Sequence, residues 1–242
     1  MRRWWGGLVP LVRVWAVGLV VAVVMAGRAL ACGKGAVLFA DHFRHGEPYW
    51  PVMSRHVAMR PGALRVTPPQ NANWYVFYPG MPYARADACV TLSIGRFHAA
   101  GDMGAGVMFW TADRRHGDVF MIRPDGRWIL AGHAGRTWQA VATGRSAAIH
   151  TGAHVTNEVE VRLDGRDGEA LVNGREVTTF RGAPPPGRSA FGFYAESEVD
   201  RADTWIFHAM VVRDLVGGPA PMPAVSSHPA GPPHPGGPPH PG

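Results

Sequence analysis

The sequence is poor in lysine and in cysteine: Lys34 is its sole lysine, and Cys32 and Cys89 are its two cysteines among 242 residues. Neither cysteine is placed like a catalytic thiol. There is no P-loop, no dinucleotide glycine fingerprint and no H-E-x-x-H zinc motif. The G-x-S-x-G elbow of serine hydrolases is missing too. These absences exclude the common nucleotide, zinc-protease and serine-hydrolase chemistries. GDMGAG at 101–106 is glycine-rich but precedes a strand, so it reads as a loop and not as a phosphate cradle. No segment sustains a helical period between caps, which leaves little room for helix. The longest uninterrupted apolar run, Val14 to Gly27, falls short of the roughly 20 residues that span a bilayer.

Positive charge is present but uneven. The formal net charge is +6, with 24 basic and 18 acidic residues. Arg2, Arg3, Arg13 and Arg28 lie in the first 31 residues, which hold no acid, so the rest carries 20 basic against 18 acidic residues. That near balance argues against a nucleic-acid partner. The same first segment has a basic start, an apolar run and Ala29-Leu30-Ala31 at its end, the pattern of a cleaved signal peptide over 1–31. The expected address is therefore periplasmic or secreted, with an uncleaved anchor as the alternative and no membrane span in the mature chain. Export favours a Cys32–Cys89 disulfide. Lipidation of Cys32 is the alternative, although Ala29 stands where bacterial lipoproteins carry leucine.

From Ala36 to Leu215 apolar and polar residues alternate. Val90, Leu92 and Ile94 share one face and Thr91 and Ser93 the other; Val159, Val161 and Leu163 alternate with Glu158, Glu160 and Arg162. A period of two marks half-buried strands, with the valines inward and Glu158 and Glu160 facing water. Asn173-Gly174 suits a two-residue hairpin, and Pro124-Asp125-Gly126 and the Asp-Gly stretches at 164–168 are further turn signals. Ten to twelve strands are expected, with 133–156 ambiguous between strand and loop. Such a pattern predicts one all-β domain over 36–215, an antiparallel sandwich. From Val216 the composition turns to proline, glycine and histidine, which predicts a disordered tail over 216–242. His228, His234 and His240 recur six residues apart; in polyproline II they would share a face about 18 to 19 Å apart, suiting a spacer better than a single-ion site.

The order LFADHF, then NEVEVRLDGRDGEALVNGREVTTF, then AFGFYAES and WIFHAMVVRDL resembles the concanavalin A-like lectin and glucanase superfamily, in particular its laminin G-like and 3-keto-disaccharide hydrolase-type bacterial domains. The resemblance implies a concanavalin-like jelly roll of two antiparallel sheets, one of them concave, and a carbohydrate-related role. Fold does not fix function, so three readings stand: a glycan-binding module, a glycoside or 3-keto-disaccharide hydrolase, and a protein-contact module.

A retaining glucanase needs two carboxyls about 5 to 5.5 Å apart. Glu158/Glu160 and Glu196/Glu198/Asp200 have the i, i+2 spacing but not the family pattern, so no catalytic residue is assigned. For sugar stacking the sequence offers Trp74, Tyr75, Phe77, Tyr78, Trp110, Trp128, Trp138, Tyr194 and Trp205, most of which should fill a core. Trp110 stands out because Asp113 and neighbouring polar residues follow it in a loop; Arg123, Trp128, Tyr194 and Glu196 complete the candidate carbohydrate site. No cofactor is called for except calcium, for which Asp41, Asp113, Asp164 and Asp167 are available oxygen donors. The sequence does not fix the oligomeric state.

Overall fold

The computed structural model describes residues 32–44, 50, 54–78, 83, 85–95, 101–113, 116–134, 137–152, 154–186 and 189–215. The leader and the tail, with their expected signal sequence, disorder and histidine repeat, lie outside these residues. Fourteen strands are found: β1 (Val37–Asp41), β2 (Val57–Arg60), β3 (Ala63–Val66), β4 (Asn73–Tyr78), β5 (Arg85–Ile94), β6 (Ala105–Asp113), β7 (His116–Ile122), β8 (Arg127–Ala134), β9 (Thr137–Arg145), β10 (Thr156–Asp164), β11 (Asp167–Val172), β12 (Arg175–Arg181), β13 (Ala190–Glu196) and β14 (Trp205–Arg213). They form two antiparallel sheets. The larger runs β12-β11-β10-β5-β14-β3-β2, with β1 continuing the β3 side along the far half of β14; the smaller runs β4-β13-β6-β7-β8-β9. This is the antiparallel sandwich the alternation predicts.

Its core lies between the sheets. Val90, Leu92 and Ile94 of β5 and Val159, Val161 and Leu163 of β10 are buried there, facing Val107, Phe109, Phe120 and Phe193 of the smaller sheet. Phe193 meets Phe207 of β14 across the interlayer, with ring centroids 4.6 Å apart. The turns match their chemistry: Asn173 and Gly174 take φ of 51° and 75°, the left-handed pair a tight hairpin needs. One strand was not anticipated, β2, which is only four residues long; within the ambiguous 133–156, β9 forms over Thr137–Arg145.

The outer face of the larger sheet departs from expectation. Cys32 and Cys89 form the anticipated disulfide, and a sulfur in that bridge cannot also carry a thioether-linked lipid. Cys89 pairs with Glu160 on one side and Val211 on the other, so the bridge lays the segment at Cys32 and Gly33 over this face. Glu160 is consequently 0% exposed and Glu158 8%, not solvated. Asp87 sits beside them, accepting the Gly33 amide at 2.8 Å, while Arg162 Nε donates to Glu160 at 2.7 Å. Burial, reinforced by the nearby Asp87 carboxylate and opposed by Arg162, pushes the Glu160 carboxyl up from 4.5 to about 8; burial raises Asp87 as well. The folded pair holds a proton that the unfolded chain releases at lower pH. Stability from this pair is therefore full below about pH 4.5 and is lost as pH rises to about 8. Glu160→Gln, which cannot ionise, should flatten that decline; thermal melts across the same window check it, and an unchanged slope contradicts the assignment.

Candidate functional site

The six sequence-predicted site residues divide into three groups. Trp110 and Trp128 belong to the core, 3% and 8% exposed. Trp110 packs against Phe109 and Phe180 at 5.3 and 5.7 Å, and Gly182 leaves room for it, since a Cβ there would lie 2.1 Å from the indole. Trp128 meets Phe120 at 6.2 Å and is roofed by Gly144. Neither lines a cleft. Asp113 lies at the β6–β7 hairpin, exposed and paired with His116 at 3.0 Å, away from the other candidates. Arg123, Tyr194 and Glu196 do come together, on the outward face of the smaller sheet.

That face is strongly curled. Trp138 on edge strand β9 and Tyr194 on β13 are separated by β8, β7 and β6, which in a flat sheet would hold their strands about 19 Å apart. Their ring centroids nevertheless lie 5.1 Å apart, edge to face. Val119, Met121 and Ala131 form the floor beneath them, with Tyr75 and Ile129 packed alongside. Gly106 permits a tight approach of β6 to β7, for a Cβ there would lie 2.0 Å from the Phe120 carbonyl oxygen. The curl makes this face a shallow trough, in which Tyr194 is itself buried, 2% exposed, and Trp138 and Tyr75 are the half-buried rings.

A polar row closes one end of the trough, where β13 and β7 finish and β4 begins. The Tyr194 hydroxyl donates to Glu196 Oε2 at 3.2 Å. Arg123 Nη2 donates to Glu196 Oε1 at 3.2 Å, and its Nη1 to Asp102 Oδ1 at 2.6 Å. Arg127 Nη2 reaches the same Asp102 oxygen at 3.1 Å. Asp125 anchors Arg127 through its backbone amide at 3.0 Å and through Nε. Burial raises the Glu196 carboxyl above its ordinary range, against the pull of Arg123 and the Tyr194 hydrogen bond. Burial likewise raises the Tyr194 phenol, so it remains a protonated donor at neutral pH. Apolar ring surfaces beside a short run of fixed donors and acceptors can bind a ligand with one apolar face and a hydroxylated edge.

The other acids do not assemble into a second centre. β13 ends at Glu196, so Glu198 leaves the strand face and turns to Arg201, and Asp200 is 73% exposed. Asp41 accepts the Phe43 amide and the Trp50 indole, both at 2.6 Å. Asp164 and Asp167 pair with Arg85 and Arg181. Among the described residues none of Asp41, Asp113, Asp164 and Asp167 joins a group of three ligands close enough to share an ion; such groups centre on Cys89, whose sulfur is in the disulfide. A hollow of about 640 Å³ lies on the outer side of the larger sheet near Arg85, Arg162 and Arg181. Its charges are paired with one another, and its aromatic residue, Phe180, packs against Phe109 and Trp110.

Sequence reasoning missed Asp102 and Arg127 and did not single out Trp138. Asp102 lies in the glycine-rich loop and Arg127 just after a turn, where no pattern marks partners distant in sequence.

No protein-family model matches the sequence, and no curated protein matches it. Solved structures do match the fold. The carbohydrate-binding module CBM66 from Bacillus subtilis is 11% identical, with a TM-score of 0.55 over 69% of this chain and 96% of that one. The exoplasmic/lumenal domain of VIP36, in a form bound to calcium and Man3GlcNAc, is 14% identical, with a TM-score of 0.55 over 72% and 87%. A structure presented among endo-acting O-glycanases of the human gut microbiota is 12% identical, with a TM-score of 0.55 over 74% and 99%. At such identities the likeness is one of architecture. The chain is a two-sheet antiparallel β-sandwich whose smaller sheet curls around an aromatic cluster on its outer face.

Proposed function

We propose that the chain is an exported glycan-binding module of the laminin G-like or 3-keto-disaccharide hydrolase-type kind, and that its ligand face is the trough of the smaller sheet. The observation that carries this reading is the Tyr194–Glu196–Arg123 row abutting the Trp138 and Tyr75 rings. A pyranose stacked on those rings would present its hydroxyl edge to that row. The ligand class is a cell-envelope or extracellular glycan; the carbohydrate-binding neighbours support the class without identifying the sugar. The test is a glycan array probed with the full-length chain and with Trp138→Ala. The wild type should bind, and the variant should lose about tenfold or more in affinity, the scale of one aromatic stacking contact. A blank array for the wild type removes the reading.

A hydrolase reading has one observation in its favour. The raised carboxyl of Glu196 and the carboxylate of Asp102 meet at one guanidinium, and a raised carboxyl suits a general acid. Release of reducing sugar from an array-positive glycan separates catalysis from binding alone.

A further inference from the structure

The two guanidiniums at the end of the trough are occupied by a group that is poorly held otherwise. Asp102 Oδ1 receives Arg123 Nη1 at 2.6 Å and Arg127 Nη2 at 3.1 Å, yet the Asp102 side chain is 76% exposed. The neighbouring acids differ: Glu196 and Asp125 are 18% and 17% exposed and fixed by several partners. Exposed ion pairs contribute little to stability, so Asp102 can leave at small cost. If it does, Arg123 and Arg127 remain as two converging cations, each already oriented by a partly buried acid. Arg145 lies near as well, donating to the Asp125 carbonyl at 2.9 Å. Paired guanidinium donors are matched to planar carboxylates through charge-assisted hydrogen bonds.

We propose that Asp102 is an internal stand-in for a ligand carboxylate, and that the trough prefers glycans containing hexuronic acid. The uronate carboxylate would take the Asp102 position between Arg123 and Arg127, while its sugar ring continues along the trough toward the half-buried rings of Trp138 and Tyr75. This inference rests on the glycan-binding reading and narrows it to an acidic sugar. A neutral sugar offers nothing to replace the aspartate, and an acidic peptide offers the charge without the ring.

The test is calorimetry on the full-length chain with tetragalacturonate, with the same oligosaccharide fully methyl-esterified, and with tetraglutamate. The acidic sugar should bind about tenfold or more tighter than its ester, the scale of one lost charge-assisted contact. Asp102→Ala should tighten the acidic sugar several-fold, and by more than it changes the affinity of the ester. Arg127→Gln should erase the difference between acid and ester. Equal binding of acid and ester overturns the inference, as does no binding of the acid, or tetraglutamate binding as tightly as tetragalacturonate. Neutral glycans that bind on the array and are lost in Trp138→Ala would keep the broader reading intact in each of those cases.

Discussion

Replacing both Cys32 and Cys89 by serine should lower the free energy of unfolding by about 4 kcal/mol, the chain-entropy value for a loop of this length. The bridge closes a separation of 57 residues, so its loss returns a large freedom to the unfolded chain. A second consequence belongs to the folded state. The bridge packs with Val211 and holds Gly33 against Asp87. Without it the segment at Cys32 and Gly33 can lift away, and water then reaches Glu160 and Asp87. The upward shift of Glu160 should shrink with that exposure, so the double variant should also show a weaker loss of stability toward alkaline pH. Urea unfolding of oxidised wild type and of the variant measures both effects. A difference below about 1 kcal/mol would show that the bridge constrains little of the unfolded chain.

Trp110→Ala should cost about 3 to 5 kcal/mol, the range for removing a large aromatic from a packed core. The indole fills a space bounded by Phe109, Phe180 and Gly182, and backbone strands on either side cannot collapse into the cavity it would leave. Trp138→Ala should behave in the opposite way. Its indole is half-buried on an edge strand over the outer face, so its removal should leave the melting temperature within a few degrees of wild type while binding is lost. Thermal melts of the two variants side by side check the contrast. A Trp110→Ala protein as stable as wild type would contradict the core placement.

The alternation in β5 and β10 and the turn chemistry at Asn173-Gly174 were enough to place the sandwich and its interior. Three features escaped for physical reasons. Trp110 follows Phe109, and strict alternation would send one of them outward; the β6–β7 register shifts after Phe109 and Trp110 takes φ of 47°, so both rings turn inward. β9 is an edge strand with a register shift of its own and is mostly exposed, so it lacks the clean two-residue period that marks a strand half-buried on a core. Trp138 was hidden with it. Glu160 does alternate away from Val159 and Val161, as the pattern implies, but it points to a face that the segment at Cys32 and Gly33 covers. The clue was present in Cys89: it alternates with Val90, so its bridge to Cys32 had to cover the outward side of β5.

The joining of Arg123, Tyr194 and Glu196 was legible only in part. Tyr194 and Glu196 share a strand face by their spacing, and Arg123 closes a strand before a turn signal. The link to Asp102 and Arg127 depends on loop closure across the sheet end, which no local period encodes.

The ligand face is tested most directly by the array signal of Trp138→Ala, read together with its melting temperature. The account predicts a folded protein of near wild-type stability that has lost the glycans wild type retains. A folded Trp138→Ala protein binding those glycans as well as wild type would place the ligand elsewhere on the molecule.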